Sequence, residues 1–202
     1  MPRHSQEEKA RSHERIVDIA AARIREEGTT TPSVAEIMQA AGLTHGGFYK
    51  HFDSRDDLIA EAVDRTFADS QAATAAVVDG AEDPLAAFVD WYVSAEHRDN
   101  PGSGCSVVAL GGEVARADAR VRAAYTDQVN RYLAQLEQLL GGEGGEHGES
   151  RGADPDVRRQ ATVALSTLVG AVLVSRAVDD PALSDEIIRD VRAALGSRDA
   201  AT

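Results

Sequence analysis

The sequence predicts an all-α protein, for three reasons. Apolar residues recur with the 3.6-residue period of amphipathic helices, as Ile16, Ala20 and Ile24 illustrate. Helix-start signals, either a capping box or a proline at the first helical position, precede several of these stripes. The 202 residues with 43% hydrophobic content are sufficient to bury a core. We expect an N-terminal three-helix domain over residues 1–53 and a larger helical domain over residues 54–202.

The first helix is predicted over Ser12–Glu27, after a mobile arm formed by residues 1–10. Gly28 is expected to end this helix, because glycine lacks a Cβ and adopts left-handed conformations easily. The arm and the start of the helix carry several basic residues that could contact phosphate, although solvent exposure explains them equally well.

The stretch from Ser33 to Phe52 predicts a helix, a tight turn and a second short helix. Ser33 is a favourable N-cap, and Glu36 three residues later completes a capping box, so the first of these helices should begin at Val34. Gly42 is the predicted stop. This arrangement is a helix-turn-helix.

The second of these helices is expected to have one apolar and one polar face. Thr44 is a candidate N-cap, and Phe48 and Phe52, four residues apart, should pack inward. The opposite face is polar enough to enter a DNA major groove. Two core helices joined by a turn would give the same pattern. However, Gly46 and Gly47 each cost roughly 1 kcal/mol in a helix relative to Ala, and close approach to another backbone would explain them.

The segment from Ala41 to Leu58 follows the pattern A-G-L-T-x-G-x-F-Y-x-H-F-x-S-R-x-x-L. With Ser33 and Ile37 before it, this segment resembles the DNA-binding domain of the tetracycline-repressor (TetR) family. The resemblance implies DNA contact by Ser33, Thr44, His45, Gly47, Tyr49, Lys50 and His51. It also implies that Arg55 replaces the family's common phosphate-binding lysine. Met38 departs from the family pattern, which usually has a small alanine at this helix contact.

The net charge of −13 is unevenly distributed along the chain. Residues 1–52 contain seven basic and seven acidic side chains, so the whole negative excess lies in the remainder. An acidic body repels DNA and leaves the neutral N-terminal end to bind it. A merely solvated acidic surface is the alternative interpretation.

A long helix is predicted from Ser54 to about Val78, and the next one begins at Asp83 and Pro84. Both carry apolar stripes, and their aromatic residues could form the rigid walls of an effector pocket in the larger domain. Core packing would use the same residues. The pocket candidates are Phe67, Phe88, Trp91, Tyr92, Cys105 and Tyr125.

Cys105 follows the loop Asn100–Gly104 and begins an apolar helix. The dipole at a helix N-terminus lowers the pKa of a thiol and favours the reactive thiolate. Some TetR-family members that sense electrophiles or oxidants resemble this chain in having a reactive cysteine near the start of the corresponding helix. A buried, unreactive cysteine is the alternative interpretation.

The segment from Ala161 to Val174 contains fourteen residues without a charge, which is too short for a bilayer span of about 20 residues. A helix that is apolar on all sides must be buried on all sides, so a second subunit is expected to cover one face. With the last helix it would form a four-helix dimer bundle, an arrangement that the TetR resemblance also implies. The predicted interface residues are Ala164, Leu168, Ala171, Ile188 and Val191.

The sequence therefore predicts a cytoplasmic, homodimeric transcriptional regulator, most simply a repressor released from operator DNA by a small molecule. One cysteine excludes an intramolecular disulfide, and the N-terminus has no secretory signal. No membrane, metal or cofactor is expected. Cys105 and His97 are the one nucleophile–base pair that an enzyme could use. Two alternatives stay open: a repressor that senses electrophiles through Cys105, and a dimeric DNA-binding protein without an effector.

Overall fold

The computed structural model describes residues 3–30, 32–117, 119–141 and 155–196, and these residues form helices and connecting turns without a β-strand. The all-α prediction is confirmed. The α-helices are α1 (Arg3–Glu27), α2 (Val34–Ala40), α3 (Arg55–Val78), α4 (Pro84–Tyr92), α5 (Ala95–Asp99), α6 (Ser106–Val114), α7 (Ala119–Gly141), α8 (Pro155–Ala177) and α9 (Pro181–Gly196). Two 3-10 helices cover His45–Lys50 and Pro101–Ser103.

Contacts within the chain divide it into two compact units. The first unit contains the residues up to Gln71 together with Pro101–Val121, and the second contains Ala72–Asn100 together with the residues from Arg122 onward. Helix α3 contributes residues to both. The contact-based division differs from the predicted one at residue 53, because most of α3 and all of α6 group with the N-terminal helices.

Helix α1 begins at Arg3, so the prediction of a separate N-terminal arm over residues 1–10 was wrong. The physical reason is local: no glycine or proline interrupts the chain between Arg3 and Glu27, and most of the added residues are good helix formers. The helix ends where Gly28 adopts a φ of 85°, as predicted. The core of the first unit consists of Ile16, Ala20, Ile24, Ile37, Met38, Phe48, Phe52, Leu58 and Ala62.

In the second unit, α8 packs on α9, α4 packs on α9, and α5 packs on α8. The core side chains include Phe88, Tyr92, Tyr132, Leu136, Leu168 and Val172. By length and composition alone α8 could cross a membrane, but its buried side chains form part of this core. The predicted flexible linker over residues 141–153 lies outside the described residues, apart from Gly141 at the end of α7.

Candidate DNA-binding surface and effector site

The helix-turn-helix forms through local contacts that the sequence encodes directly. The Ser33 hydroxyl accepts a hydrogen bond from the Glu36 N–H, and the Glu36 carboxylate accepts one from the Ser33 N–H at 3.0 Å. Gly42 has a φ of 71° and donates its N–H to Gln39. The Leu43 N–H then bonds the Met38 carbonyl at 2.9 Å, which fixes the turn after α2.

The second helix of the motif is a 3-10 helix over His45–Lys50, with Thr44 at its N-cap position. Its apolar side is fixed by Phe48 and Phe52, both buried, whose rings stack with centroids 5.5 Å apart. Its other side presents Thr44, His45, Tyr49 and Lys50 to solvent. Tyr49 is 71% exposed, which is high for an aromatic residue and leaves its hydroxyl available to a partner.

The two glycines of this 3-10 helix are not required by packing within the chain. A Cβ placed on Gly46 would meet no atom within 4 Å, and one on Gly47 would make only ordinary contacts, 3.6 Å from Met38 and 3.8 Å from Thr44. Neither glycine has a positive φ. Space next to these residues is therefore open on the same segment that exposes Tyr49 and Lys50.

His51 is half-buried and turned towards the interior of the first unit. Its ring lies 6.0 Å from that of His13 and 6.2 Å from that of Phe52, and its Nδ1 atom is buried without a hydrogen-bond partner in the described part of the chain. Burial lowers the pKa of His51, and the neighbouring His13, Lys9 and Lys50 lower it further. The ring is therefore only partly exposed, and DNA contact by His51 stays a prediction.

Arg55 makes contacts that the sequence did not predict. Its Nη2 atom donates to the carbonyl of Thr29 at 2.8 Å and to those of Thr30 and Pro32 at 3.3 Å. One nitrogen of the guanidinium group is thus used to hold the loop between α1 and α2. Phosphate binding by Arg55 stays a prediction, and it would have to involve the other guanidinium nitrogens.

Sequence reasoning missed Glu113, near the end of α6. Its carboxylate accepts hydrogen bonds from the N–H and the hydroxyl of Thr29, at 2.8 and 2.7 Å. Buried Arg25 similarly bonds the Gly102 carbonyl and Asp69. These partners are 84, 77 and 44 residues apart, so no local sequence pattern identifies them.

The predicted pocket residues do not all belong to one unit. Phe67 and Cys105 lie in the first unit, whereas Phe88, Trp91, Tyr92 and Tyr125 lie in the second. In the second unit, Phe88 and Tyr92 are fully buried with ring centroids 5.5 Å apart, and Trp91 stacks on His97 at 5.7 Å. These four aromatic rings form a continuous cluster, which we call the aromatic cluster.

His97 is held in the aromatic cluster as a neutral ring. Its Nδ1 atom lies 2.7 Å from the carbonyl oxygen of Tyr92 and donates a hydrogen bond to it. Burial lowers the pKa of His97; the bond to Tyr92 opposes this effect and the positive charge of Arg176 adds to it. Arg176 in turn donates to the carbonyls of His97 and Arg98, which fixes α5 on α8.

A cavity of about 900 Å³ lies in the second unit, between the C-terminal end of α3, the Asp79–Pro84 segment and α7. Gln135, Gln138 and Leu139 line its α7 side. The residues that line this cavity do not include Trp91 or Tyr92. The polar side chains on α7 were not among the predicted pocket residues.

Cys105 occupies the N-cap position of α6, as predicted, with an extended backbone (φ −67°, ψ 123°). Its side chain is only 2% exposed. Burial withholds the sulfur from dissolved reagents. In the described residues, no group of three or more His, Cys, Asp or Glu side chains is arranged to hold a metal ion.

The structure corrects the predicted dimer face of α8 and α9. Leu168 has no exposed surface in the single chain, and Ala171 and Ile188 are also buried. Leu168 therefore packs within its own chain and cannot meet a second subunit directly, whereas the interface roles of Ala171 and Ile188, which are 5% and 7% exposed, stay predictions. Ala164 and Val191 are half-buried. The apolar side chains that α8 and α9 do expose are Val163, Leu173, Val174 and Leu183.

Two family models match the chain. The model for bacterial regulatory proteins of the tetR family matches residues 16–62, which include α2 and the 3-10 helix. The model for the tetracyclin repressor-like C-terminal domain matches residues 81–191, more than half of the chain. The chain belongs to the TetR family. It is therefore a DNA-binding transcriptional regulator, and the resemblance inferred from the segment around Ala41–Leu58 is confirmed.

Two related regulators differ in how much of the chain they match. The chain is 29% identical over 189 residues to an uncharacterised HTH-type transcriptional regulator of Mycobacterium tuberculosis, covering 89% of this chain and 91% of that protein. It is 34% identical over 61 residues to the HTH-type transcriptional regulator AcrR of Shigella flexneri. The AcrR match covers 30% of this chain and only 28% of AcrR.

Solved TetR-family structures share the fold. A regulator from Chloroflexus aurantiacus superposes with a TM-score of 0.77 at 23% identity, covering 93% of this chain and 96% of that one. Escherichia coli NemR in its reduced form gives a TM-score of 0.73 at 20% identity, covering 91% and 94%. At these identities the likeness establishes the fold and nothing about ligands.

TetR-family proteins are transcriptional regulators rather than enzymes. Members of the family bind operator DNA and are typically dimers.

Proposed function

We propose that this TetR-family regulator is a homodimeric repressor that acts in the cytoplasm, binds a palindromic operator, and is released by a small-molecule effector held in its second unit. The observation that carries the proposal is the outward face of the 3-10 helix. Thr44, His45, Tyr49 and Lys50 are exposed there, next to glycines whose Cβ positions are open. This face can approach a DNA backbone closely while Tyr49 and Lys50 donate to phosphates.

The charge distribution supports the same face. Residues 1–52 are electrically neutral, whereas the rest of the chain carries the whole net charge of −13. Phosphate repulsion is therefore smallest at the N-terminal end. Contacts by Tyr49 and Lys50 would strengthen binding to any sequence, whereas His45 and Thr44 stand at the start of the helix, where side chains reach base edges.

The exposed apolar side chains of α8 and α9 support a dimer. Val163 is 60% exposed and Leu173 51%, and Val174 and Leu183 are also exposed in the single chain. Covering such side chains with those of a second copy removes apolar surface from water, at about 25 cal/mol per Å². A symmetric pair of α8 and α9 helices would form a four-helix bundle.

The second unit has features that suit an effector site. It contains the aromatic cluster and a cavity of about 900 Å³, in the range of small-molecule sites. Helix α3 is one continuous helix with residues in both units. A ligand that displaced the second half of α3 would therefore also displace its first half, which follows the helix-turn-helix directly, and would disturb simultaneous binding of two half-sites.

The proposal is tested by selecting operator sequences from random DNA and footprinting the protein on them. We expect two-fold symmetric protection, with half-sites one helical turn, roughly 34–36 Å, apart or close to that. Lys50→Ala and Tyr49→Phe should weaken binding to all sequences, and His45→Ala should change the preferred bases. Arg189→Ala, at an exposed site on α9, is the matched control. Asymmetric protection, or equal binding by all variants, contradicts the proposal.

A reporter gene placed behind the selected operator separates repression from activation. Deleting the regulator should raise reporter output if it is a repressor and lower it if it is an activator. Screening small molecules for release of the operator then tests for an effector. A regulator that no compound releases supports the alternative in which the second unit only dimerises.

A further inference from the structure

A side chain in the middle of α7 has no explanation in the packing of the second unit. Gln128 is 1% exposed, yet neither its amide nitrogen nor its amide oxygen has a hydrogen-bond partner among the residues that the structure describes. Burying an amide without a partner costs at least about 1–3 kcal/mol. A leucine at this position would avoid that cost, so the amide is best explained by a partner outside the residues that the structure describes.

The position of Gln128 on α7 is that of an inward-facing residue. Tyr132, one turn further on the same helix face, is buried, and Tyr125 lies almost one turn before it and is half-buried. Gln135, seven residues on, is again on this face and lines the cavity of about 900 Å³. Seven residues correspond to about 10 Å along the helix axis, the length of a small organic molecule.

The side chains inside the second unit also restrict which charge a bound ligand can carry. Its buried Thr, Ser, His and Gln side chains are Thr74, His97, Gln128, Ser175 and Ser184. Burial keeps His97 in its neutral form, because its pKa is lowered. No buried side chain in the described part of this unit therefore carries a charge at neutral pH, and the acidic side chains that line the cavity, Asp79 and Glu82, would repel an anionic ligand.

We infer that Gln128 is the polar anchor of the effector site, and that the effector is a largely apolar molecule without a negative charge that has a hydrogen-bond donor and an acceptor close together, such as an amide or a lactam. The amide oxygen of Gln128 accepts from the ligand donor, and its NH₂ group donates to the ligand acceptor. This inference rests on the proposed function, because it assigns the ligand class to the effector site of the second unit.

Three probes with the same phenylpropyl frame separate this class from others: 4-phenylbutyramide has a donor and an acceptor, 5-phenyl-2-pentanone has an acceptor only, and 4-phenylbutyrate is an anion. Binding is measured by calorimetry and by the fluorescence of Trp91, the one tryptophan of the chain. We expect the amide to bind the wild type most tightly. In Gln128→Leu its affinity should fall about tenfold and become similar to that of the ketone, since two hydrogen bonds are lost.

Asn130→Leu is the matched control, because Asn130 is an exposed amide residue on the same helix, does not line the cavity and leaves Gln128 in place. The free Gln128→Leu protein should melt at a higher temperature than the wild type, since the buried amide has been replaced by an apolar side chain of similar size. A lower melting temperature would show that an internal water satisfies Gln128 as a structural group, and would overturn the inference.

The inference is also overturned if the amide fails to bind, if the anion binds best, or if Gln128→Leu binds the amide as tightly as the wild type does. These outcomes leave operator binding untouched, so the proposed function would survive them. Conversely, a protein that binds the amide through Gln128 but no operator would refute the proposed function and leave the ligand site standing.

Discussion

The carboxylate of Glu113 accepts two hydrogen bonds from Thr29, one from the N–H at 2.8 Å and one from the hydroxyl at 2.7 Å. This contact joins α6 to the loop between α1 and α2. It also explains the residue before Thr29: a Cβ on Gly28 would lie 1.9 Å from a carboxylate oxygen of Glu113, and the φ of 85° is itself strained for other residues. Arg55 also donates to a carbonyl of this loop, so side chains from α3 and α6 together hold the loop that precedes the helix-turn-helix.

Glu113→Ala should lower the free energy of unfolding by about 1–3 kcal/mol, because the Thr29 N–H and hydroxyl would lose their partner. Thr29→Val removes the hydroxyl alone and should cost less. In a double-mutant cycle by urea unfolding, the two changes should be non-additive. Glu186→Ala, at an exposed position on α9, is the control. Additive effects would show that the two side chains do not interact in solution.

Gly47→Ala should leave the fold intact and weaken DNA binding. The added methyl group meets only ordinary contacts, and the backbone there has no positive φ, so the melting temperature should stay constant or rise slightly. On the DNA-facing side the methyl group would occupy the open space that close approach requires. Electrophoretic mobility shifts with the selected operator measure the loss of affinity.

The control for this prediction is Gly112→Ala in α6, where a Cβ also meets no atom within 4 Å. It should raise stability to a similar extent without changing DNA affinity. If Gly47→Ala binds operator as tightly as Gly112→Ala does, the glycine does not lie against DNA.

Leu173→Arg should convert the dimer into a soluble monomer, whereas Leu168→Arg should unfold or aggregate the chain. Leu173 is 51% exposed in the single chain and can carry a charge in a monomer, but not in a dry interface. Leu168 has no exposed surface, so arginine there would place an unpaired charge in the core. Light scattering and circular dichroism measure assembly and folding. A soluble Leu173→Arg dimer would place the interface elsewhere.

These two leucines show where sequence reasoning reached its limit. The hydrophobic run of α8 predicts a buried helix, and this prediction was confirmed in part by its core side chains. The same run cannot identify which face meets its own chain, because both faces are apolar. Leu168 was therefore assigned to the dimer face although it packs inside the chain, and Leu173 was overlooked.

The helix-turn-helix was predictable because its determinants are local. Ser33 and Glu36 are three residues apart and form the expected capping box, and Phe48 and Phe52 stack as their spacing requires. Glu113 and Thr29 could not be paired in the same way, since 84 residues separate them and neither belongs to a pattern. The buried amide of Gln128 was hidden for another reason: within an amphipathic helix, a polar residue is normally assigned to the exposed face.

Protonation of His97 should lower the free energy of unfolding in acid. Its pKa in the folded protein lies below the ordinary value of 6.5, so the unfolded chain binds more protons once the pH falls below about that value. Stability contributed by neutral His97 is therefore complete above pH 6.5 and decreases as the pH falls from there towards the folded pKa. Urea unfolding of the wild type between pH 7.5 and 5.5 should show this decrease.

His97→Gln should flatten the pH dependence, because glutamine does not titrate. Burial also lowers the pKa of His51, so His51→Gln should remove a further part of the pH dependence of stability. The free energy of unfolding of the double variant should depend on pH less than that of either single variant. An unchanged slope in His97→Gln would mean that its ring is not buried in solution.

Cys105 should react slowly with thiol reagents in the native protein. It stands at the N-cap of α6 with its side chain only 2% exposed, and modification requires the sulfur to reach solvent. We expect N-ethylmaleimide to modify it much more slowly than it modifies glutathione, with the rate rising sharply in urea near the unfolding midpoint. Because the chain has one cysteine, intact-mass spectrometry follows this single site directly.

Cys105→Ser tests whether the thiol controls DNA binding. If Cys105 is a packing residue, the variant and the wild type should bind operator equally. Both should also stay bound to operator when an electrophile is added, because the buried thiol of the wild type reacts only when the first unit opens. Two results together would contradict this prediction and establish the sensing alternative. The thiol of the native protein would react faster than glutathione, and electrophiles would release the wild type but not Cys105→Ser from operator DNA. The slow reaction is the expected result, since the sulfur is enclosed by core side chains and reaches a dissolved reagent only when the first unit opens.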